Sequence, residues 1–262
     1  MIKTFDTHAH LDHIENVDQA LKEADEAGIE GVVAVGVDLE ANQKNLEIKR
    51  RTKSPKIFTA LGIHPGNIKA EDVEKTIQYI RDNIKEAVAI GEIGLDFWYK
   101  DVRKSDERKQ EQRNVFQKQL ELAAEFDLPV VVHSRGAWKE CLRLIKDSGV
   151  KKANFHWYSG PIDVLDQIFE AGFFVSATPA LRYSPQHQDA IRNAPITQTL
   201  IETDSPVFFQ DTDDPQGGFA ASPKDVLRTL KLYAELKGMK EAEAVDVLNR
   251  NVKEFFGIKT MY

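Results

Sequence analysis

Short apolar, β-branched runs alternate along this chain with longer amphipathic stretches. The runs fall at residues 2–7, 32–37, 57–63, 87–93, 129–133, 153–156, 173–177 and 199–203. Several are apolar without interruption, as strands buried on both faces of a parallel sheet are. The stretches between them carry helical spacing. Residues 18–27 read as a helix that stops at Gly28. Residues 70–85 set Val73, Ile77, Ile80 and Ile84 on one stripe, and residues 105–126 form the longest expected helix. Ser222-Pro223 reads as a capped helix start, and a final amphipathic segment runs over 241–256 before Gly257. Eight strand-then-helix units predict a (β/α)8 barrel with an additional C-terminal helix, as one domain over 1–262. A doubly wound open sheet is the structural alternative, but no Gly-rich phosphate loop follows the first strand. The one obvious long loop, 208–221, follows the eighth strand and on a barrel lies at the face that carries active sites.

Composition narrows the class. A length of 262 residues suits one barrel domain, and the net charge of −7 argues against a protein that grips nucleic acid by overall basic charge. Such a charge still permits a site whose own metal ions supply a local positive field. The single cysteine, Cys141, allows no disulfide within the chain and reads as a small core residue. With no basic-then-apolar leader and no apolar run of membrane-spanning length, a cytoplasmic protein without membrane contact is expected. A monomer is assumed.

The chemistry begins with His8 and His10, two apart at the end of the first strand, where alternate residues share a face. A lone His-x-His is a weak signal. Other strand ends supply further ligand types: Glu92 on the fourth, His133 on the fifth, His156 on the sixth and Asp204 on the eighth. Barrel enzymes carry their sites at that end, so the coincidence points to a metal centre. Six ligands exceed what one tetrahedral zinc uses and suffice for two ions sharing a carboxylate. Glu92 is the natural bridge, because its two oxygens can bind different ions. Four imidazoles favour zinc, manganese, cobalt or iron over magnesium.

The motifs Asp6-Thr7-His8-Ala9-His10-Leu11-Asp12, Gly62-Ile63-His64-Pro65, Gly91-Glu92-Ile93-Gly94-Leu95-Asp96, His133-Ser134-Arg135, His156-Trp157-Tyr158-Ser159-Gly160 and Glu202-Thr203-Asp204-Ser205-Pro206 span the first strand to the eighth. In this order they resemble the TatD-related metal-dependent deoxyribonucleases of the amidohydrolase superfamily. The resemblance implies a (β/α)8 barrel, two divalent metal ions (zinc, manganese or magnesium) and hydrolysis of DNA phosphodiesters. It also implies that His8, His10, Glu92 and Asp204 hold one ion while Glu92, His133 and His156 hold the other. The family usually has Cys-Phe where this chain has Trp157-Tyr158. It usually has an Arg-containing loop after the eighth strand, where residues 207–219 here contain no Arg or Lys and include Asp211, Asp213 and Asp214.

On this reading Asp204 is the general base, Glu92 fixes the spacing of the ions, and His64 contacts phosphate or helps protonate the leaving group. Arg135, Trp157 and Ser205 are expected to touch substrate. Trp98, Tyr99, Trp157 and Tyr158 fall where they can stack unpaired bases, so single-stranded DNA or a DNA end is the expected partner. Lys100, Arg103, Lys104, Arg108, Lys109 and Arg113 form the only basic concentration near that face. His13 and His187 read as structural or surface residues. A same-fold enzyme acting on a small phosphoester, amide or lactone is the alternative.

Overall fold

Eight parallel strands lie side by side in chain order in a computed structural model that describes residues 2–211 and 216–258. They are β1 (Thr4–Ala9), β2 (Ile29–Val35), β3 (Lys56–Leu61), β4 (Ala87–Asp96), β5 (Val130–Arg135), β6 (Ala153–Phe155), β7 (Phe174–Ala177) and β8 (Thr199–Ile201). The barrel closes just beyond β8. The Asp204 amide donates to the His8 carbonyl at 2.9 Å, and the His10 amide donates to the Ser205 carbonyl at 2.8 Å. The seam of the barrel thus runs through residues expected to bind metal.

One helix follows each strand: α1 (Val17–Ala27), α2 (Leu39–Arg51), α3 (Val73–Asp82), α4 (Asp106–Glu125), α5 (Trp138–Ser148), α6 (Ile162–Glu170), α7 (Pro185–Asn193) and α8 (Val226–Lys237). Side-chain caps from Asn16, Asp38, Ser105 and Ser184 satisfy amides at four of these starts. The additional C-terminal helix is α9 (Glu241–Phe256). It stoppers the N-terminal end of the barrel, packing Val252, Phe255 and Phe256 against Phe5, Val131, Phe174 and Leu200. Among the described residues no helix is long and apolar enough to cross a membrane.

Two expectations change. The helix over 70–85 is α3 alone, flanked by 3-10 turns at Ala70–Asp72 and Ile84–Glu86. Asn83 breaks it, because its side-chain amide bonds back to the Tyr79 carbonyl at 2.9 Å and competes with the helical ladder. The loop 208–221 contains a hairpin, β9 (Phe208–Gln210) paired antiparallel with β10 (Gly218–Ala220). Its burial of Phe209 against Trp157, at 5.3 Å between centroids, supplies the apolar contact that folds it. Asp213 and Asp214 lie outside the described residues.

Candidate metal centre

Glu92 stands in the last part of β4 with its carboxylate almost fully buried. Its Oε1 lies 2.8 Å from His156 Nε2, 2.9 Å from His133 Nδ1 and 3.6 Å from His64 Nε2. Its Oε2 lies 3.4 Å from His8 Nε2 and 3.5 Å from His10 Nε2. Those last two nitrogens also sit 3.4 Å and 3.2 Å from Asp204 Oδ1. Each oxygen of one carboxylate therefore faces its own set of ligand atoms. His8 and His156 stack at 4.1 Å between the two sets. His10 stands one residue past the end of β1, and His156 and Asp204 stand just past β6 and β8.

The donor set fits cations. His8 Nδ1 and Nε2, His10 Nδ1 and Asp204 Oδ1 are buried without a hydrogen-bond partner. Leaving one buried polar atom unpaired costs about 1–3 kcal/mol, so His8 Nε2 and Asp204 Oδ1, 3.4 Å apart and both without a hydrogen-bond partner, call for a ligand. Burial opposes charge on Glu92, but the charge of His156 and the bonds from His133 and His156 outweigh it and hold the carboxyl well below its ordinary range. Burial likewise opposes protonation of His156, and the Glu92 and Glu202 carboxylates override it.

Behind the ligands stands a second set of carboxylates that the sequence reading left without a role. Asp96 Oδ2 accepts from His133 Nε2 at 2.9 Å and from Arg135 Nη2 at 2.7 Å, while its Oδ1 accepts the Trp98 amide at 2.9 Å. Glu202 Oε1 faces His156 Nδ1 at 3.3 Å and accepts the Trp157 amide at 3.0 Å. Asp6 accepts from the Thr203 amide and hydroxyl at 2.9 and 2.6 Å, tying β1 to the chain after β8. Metal-bound histidines usually give their second N–H to a carboxylate, so each predicted imidazole was a signal that such an acid should exist. Asp96 and Glu202 each share a motif with a predicted ligand.

Backbone geometry serves the same end. Gly94 has φ +144°, and a Cβ there would lie 1.9 Å from the His133 carbonyl oxygen. Only glycine lets β4 and β5 approach closely enough for Glu92 and His133 to meet. Asp204 (φ +51°) and Trp157 (φ +42°) hold left-handed conformations that cost of order 1–3 kcal/mol in non-glycine residues. Such strain collects at functional sites.

His64 lies against the same carboxylate. The Gly66 amide donates to His64 Nδ1 at 3.0 Å, which leaves the proton on Nε2 facing Glu92. Burial pushes this imidazole to about 3, the charge of Glu92 offsetting only part of the effect. A neutral ring suits the expected phosphate contact, and it does not suit protonation of a leaving group. Two buried amides fix its loop: Asn42 bonds both backbone groups of Gly62, and Gln119 both of Ile63.

These groups floor a cavity of about 550 Å³ whose wall includes Tyr99, Arg135, Trp157 and Tyr183. Arg135 and Trp157 are among the residues on that wall. Ser205 is not: it is fully buried and absent from the wall, and its carbonyl instead holds the His10 amide. Tyr158 is also removed from any base-stacking role, because its ring is buried and its hydroxyl donates to Pro161 at 2.7 Å. His13 reaches the cavity mouth, stacked 5.6 Å from His10. His187 is buried, bonded to the Tyr158 carbonyl at 2.7 Å and accepting the Thr178 amide at 3.1 Å.

The acidic loop is partly neutralised from outside itself. Asp211 lies 3.4 Å from both Arg182 and Arg228, and it does not reach the cavity wall. The basic cluster thins in turn. Arg108 pairs with Glu111, Lys109 with Asp106 and Arg113 with Glu140, leaving Lys100, Arg103 and Lys104 exposed and free of ion pairs among the described residues.

The family model for TatD related DNase matches residues 5–257. An uncharacterized metal-dependent hydrolase of Methanocaldococcus jannaschii is 30% identical over 260 residues, covering 97% of each chain. The deoxyribonuclease TATDN3 of Homo sapiens is 28% identical over 263 residues, covering 96% of this chain and 93% of that one. The crystal structure of a TatD homologue from Escherichia coli K12 has the same fold, with a TM-score of 0.87 at 23% identity over 98% of this chain and 99% of that one. The chain thus belongs to the TatD related DNase family and is a metal-dependent hydrolase.

Proposed function

We propose that this chain is a deoxyribonuclease that hydrolyses DNA phosphodiester bonds with two divalent ions, one of which His8, His10, Glu92 and Asp204 would hold and the other Glu92, His133 and His156. The observation that carries this reading is the division of Glu92, with Oε2 toward His8, His10 and Asp204, and Oε1 toward His133 and His156. When bound, two such ions make water a strong nucleophile at neutral pH and neutralise charge on the phosphate. Zinc or manganese suits the imidazoles for tight binding, and magnesium or manganese suits turnover of a phosphodiester.

The side chains around that centre have separate tasks. Glu92 sets the spacing of the two ligand groups. Asp204 accepts the proton of the attacking water. His64 offers its Nε2–H to a phosphate oxygen. Arg135, braced by Asp96, offers the remaining donors of its fork. A cavity of about 550 Å³ admits a strand end or an unpaired stretch more readily than an intact duplex, which supports single strands or ends as substrate. All six ligands come from one chain, which supports action as a single-domain monomer, and the lone buried Cys141 fits a cytoplasmic setting.

The test incubates protein loaded separately with zinc, manganese and magnesium with labelled single-stranded DNA, duplex DNA and bis(p-nitrophenyl) phosphate. Cleavage of single-stranded DNA with at least one metal is expected. Turnover of the small diester with DNA untouched under every metal would overturn the nuclease reading in favour of a small-ester hydrolase.

A further inference from the structure

Trp98 is the most exposed large apolar side chain of the described residues, at 59%. Its exposure is not that of a loose loop tip. Its backbone amide is bound by Asp96 at 2.9 Å, the same carboxylate that holds His133 and Arg135. Its indole meets the Trp138 indole edge to face, at 5.6 Å and 88°. It also lies directly over Gly136, where a Cβ would come within 2.4 Å of the ring. Gly160 gives Trp138 the same close support, at 2.7 Å. One carboxylate, one indole and a glycine therefore brace an aromatic face that is left open to solvent.

Cations lie near this shelf, on the cavity wall and in the chain that follows it. Arg135 stands beside it on the cavity wall, its guanidinium over the Tyr99 ring at 5.1 Å. Lys100, Arg103 and Lys104 follow directly in the chain, exposed and without ion pairs. On a protein of net charge −7, an exposed indole next to unpaired cations is a local exception. Aromatic faces beside positive charge are how proteins hold single strands without reading sequence, the ring taking a base and the cations taking phosphates.

We propose that Trp98 is a base-stacking shelf, seating one unpaired nucleobase of a single-stranded DNA substrate next to the metal pocket, with Lys100, Arg103 and Lys104 beside the adjoining phosphates. The inference rests on the nuclease reading and deepens it, assigning substrate preference to a residue outside the metal centre. Because Asp96 ties the Trp98 backbone to His133, a base stacked on the shelf is held in fixed register with the metal centre.

The experiment compares Trp98→Ala and Trp98→Phe with the parent protein on a short oligothymidylate and on bis(p-nitrophenyl) phosphate. Stacking one base is worth about 1–3 kcal/mol. The ratio of kcat/KM for the oligonucleotide over the small diester is expected to fall about fivefold or more in Trp98→Ala, mainly through KM, and to recover most of the loss in Trp98→Phe. A second measurement needs no turnover. Oligothymidylate is expected to quench tryptophan fluorescence of the metal-free protein, and Trp98→Phe is expected to lose most of that quenching. An unchanged selectivity ratio in Trp98→Ala, with DNA still cleaved, overturns the shelf and leaves the nuclease reading standing. DNA left intact by the parent protein under every metal overturns both. Equal loss on the two substrates assigns Trp98 to stability of the pocket and also overturns the shelf, as does quenching that survives in Trp98→Phe.

Discussion

The two ends of this barrel are built from the same strands under opposite rules. At the N-terminal end, Phe5, Phe174 and Leu200 close on Phe255 and Phe256 of α9, and apolar surface meets apolar surface. At the C-terminal end, Asp6, His8, Glu92, Asp96, Glu202 and Asp204 are just as buried, yet several of their polar atoms have no partner. The first arrangement lowers the free energy of the fold. The second raises it until ions arrive. Stability and chemistry are thus separated along the strand axis, which is why the chemical end tolerates strain at Asp204 and Trp157.

The largest expected effects come from exchanging the rules at each end. Asp204→Asn keeps the size of the side chain and removes the proposed proton acceptor, so kcat is expected to fall about 10²–10⁴-fold with little change in melting temperature. Phe255→Ala opens a cavity in the stopper and is expected to cost about 3–5 kcal/mol of stability, while kcat/KM at low temperature stays near the parent value. Denaturant titration and steady-state kinetics on both variants check the pair. A large activity loss in Phe255→Ala without unfolding would end the claim that the two ends are independent.

A second expectation sharpens the comparison through pH. His187 lies at the chemical end of the fold but takes no part in the ligand set, and burial pulls it down from 6.5 to about 4. The unfolded chain therefore binds a proton between these values that the folded chain refuses. Its contribution is complete above pH 6.5, declines as pH falls toward about 4 and changes no further below that. The loss amounts to at most about 3 kcal/mol. His187→Gln is expected to flatten the pH dependence of unfolding free energy across that window, measured on metal-free protein. A parallel slope in parent and variant would show that His187 is not the group responsible.

The smallest effects are expected behind the ligands. Asp96→Asn and Glu202→Gln leave all six proposed ligands in place but weaken the hold on His133 and His156, and each is expected to lower metal affinity or activity about 10–100-fold. Isothermal titration with zinc, beside kinetics, checks this. Affinity unchanged in both variants would reduce these carboxylates to packing.

Much of the barrel was readable because its strands are continuous apolar runs and its helices amphipathic, patterns that depend only on local spacing. The six proposed ligands were readable because each sits in a chemically distinctive motif near the end of a strand. Asp96, Glu202 and Asp6 lay in the same motifs without a role, since an acid that braces a histidine has the same sequence signature as one that caps a loop. Ser205 misled for a related reason: a hydroxyl beside a ligand looks like a substrate contact until its burial is known. The 70–85 segment misled because periodicity does not register that the Asn83 amide competes for a helix carbonyl.

By itself the sequence determined the order of elements, the residue types available at one end of the barrel and the class of chemistry those types support. These follow from periods of two and 3.6 residues and from the ligand preferences of imidazole and carboxylate, all of them local. Only the tertiary structure decided which oxygen of Glu92 faces which ring, that Asp211 is offset by arginines from the 3-10 turn Pro179–Arg182 and from α8, and that Trp98 lies open while Tyr158 is sealed. Those outcomes depend on distances between segments far apart in the chain, and such distances are set by how eight strands close into a barrel.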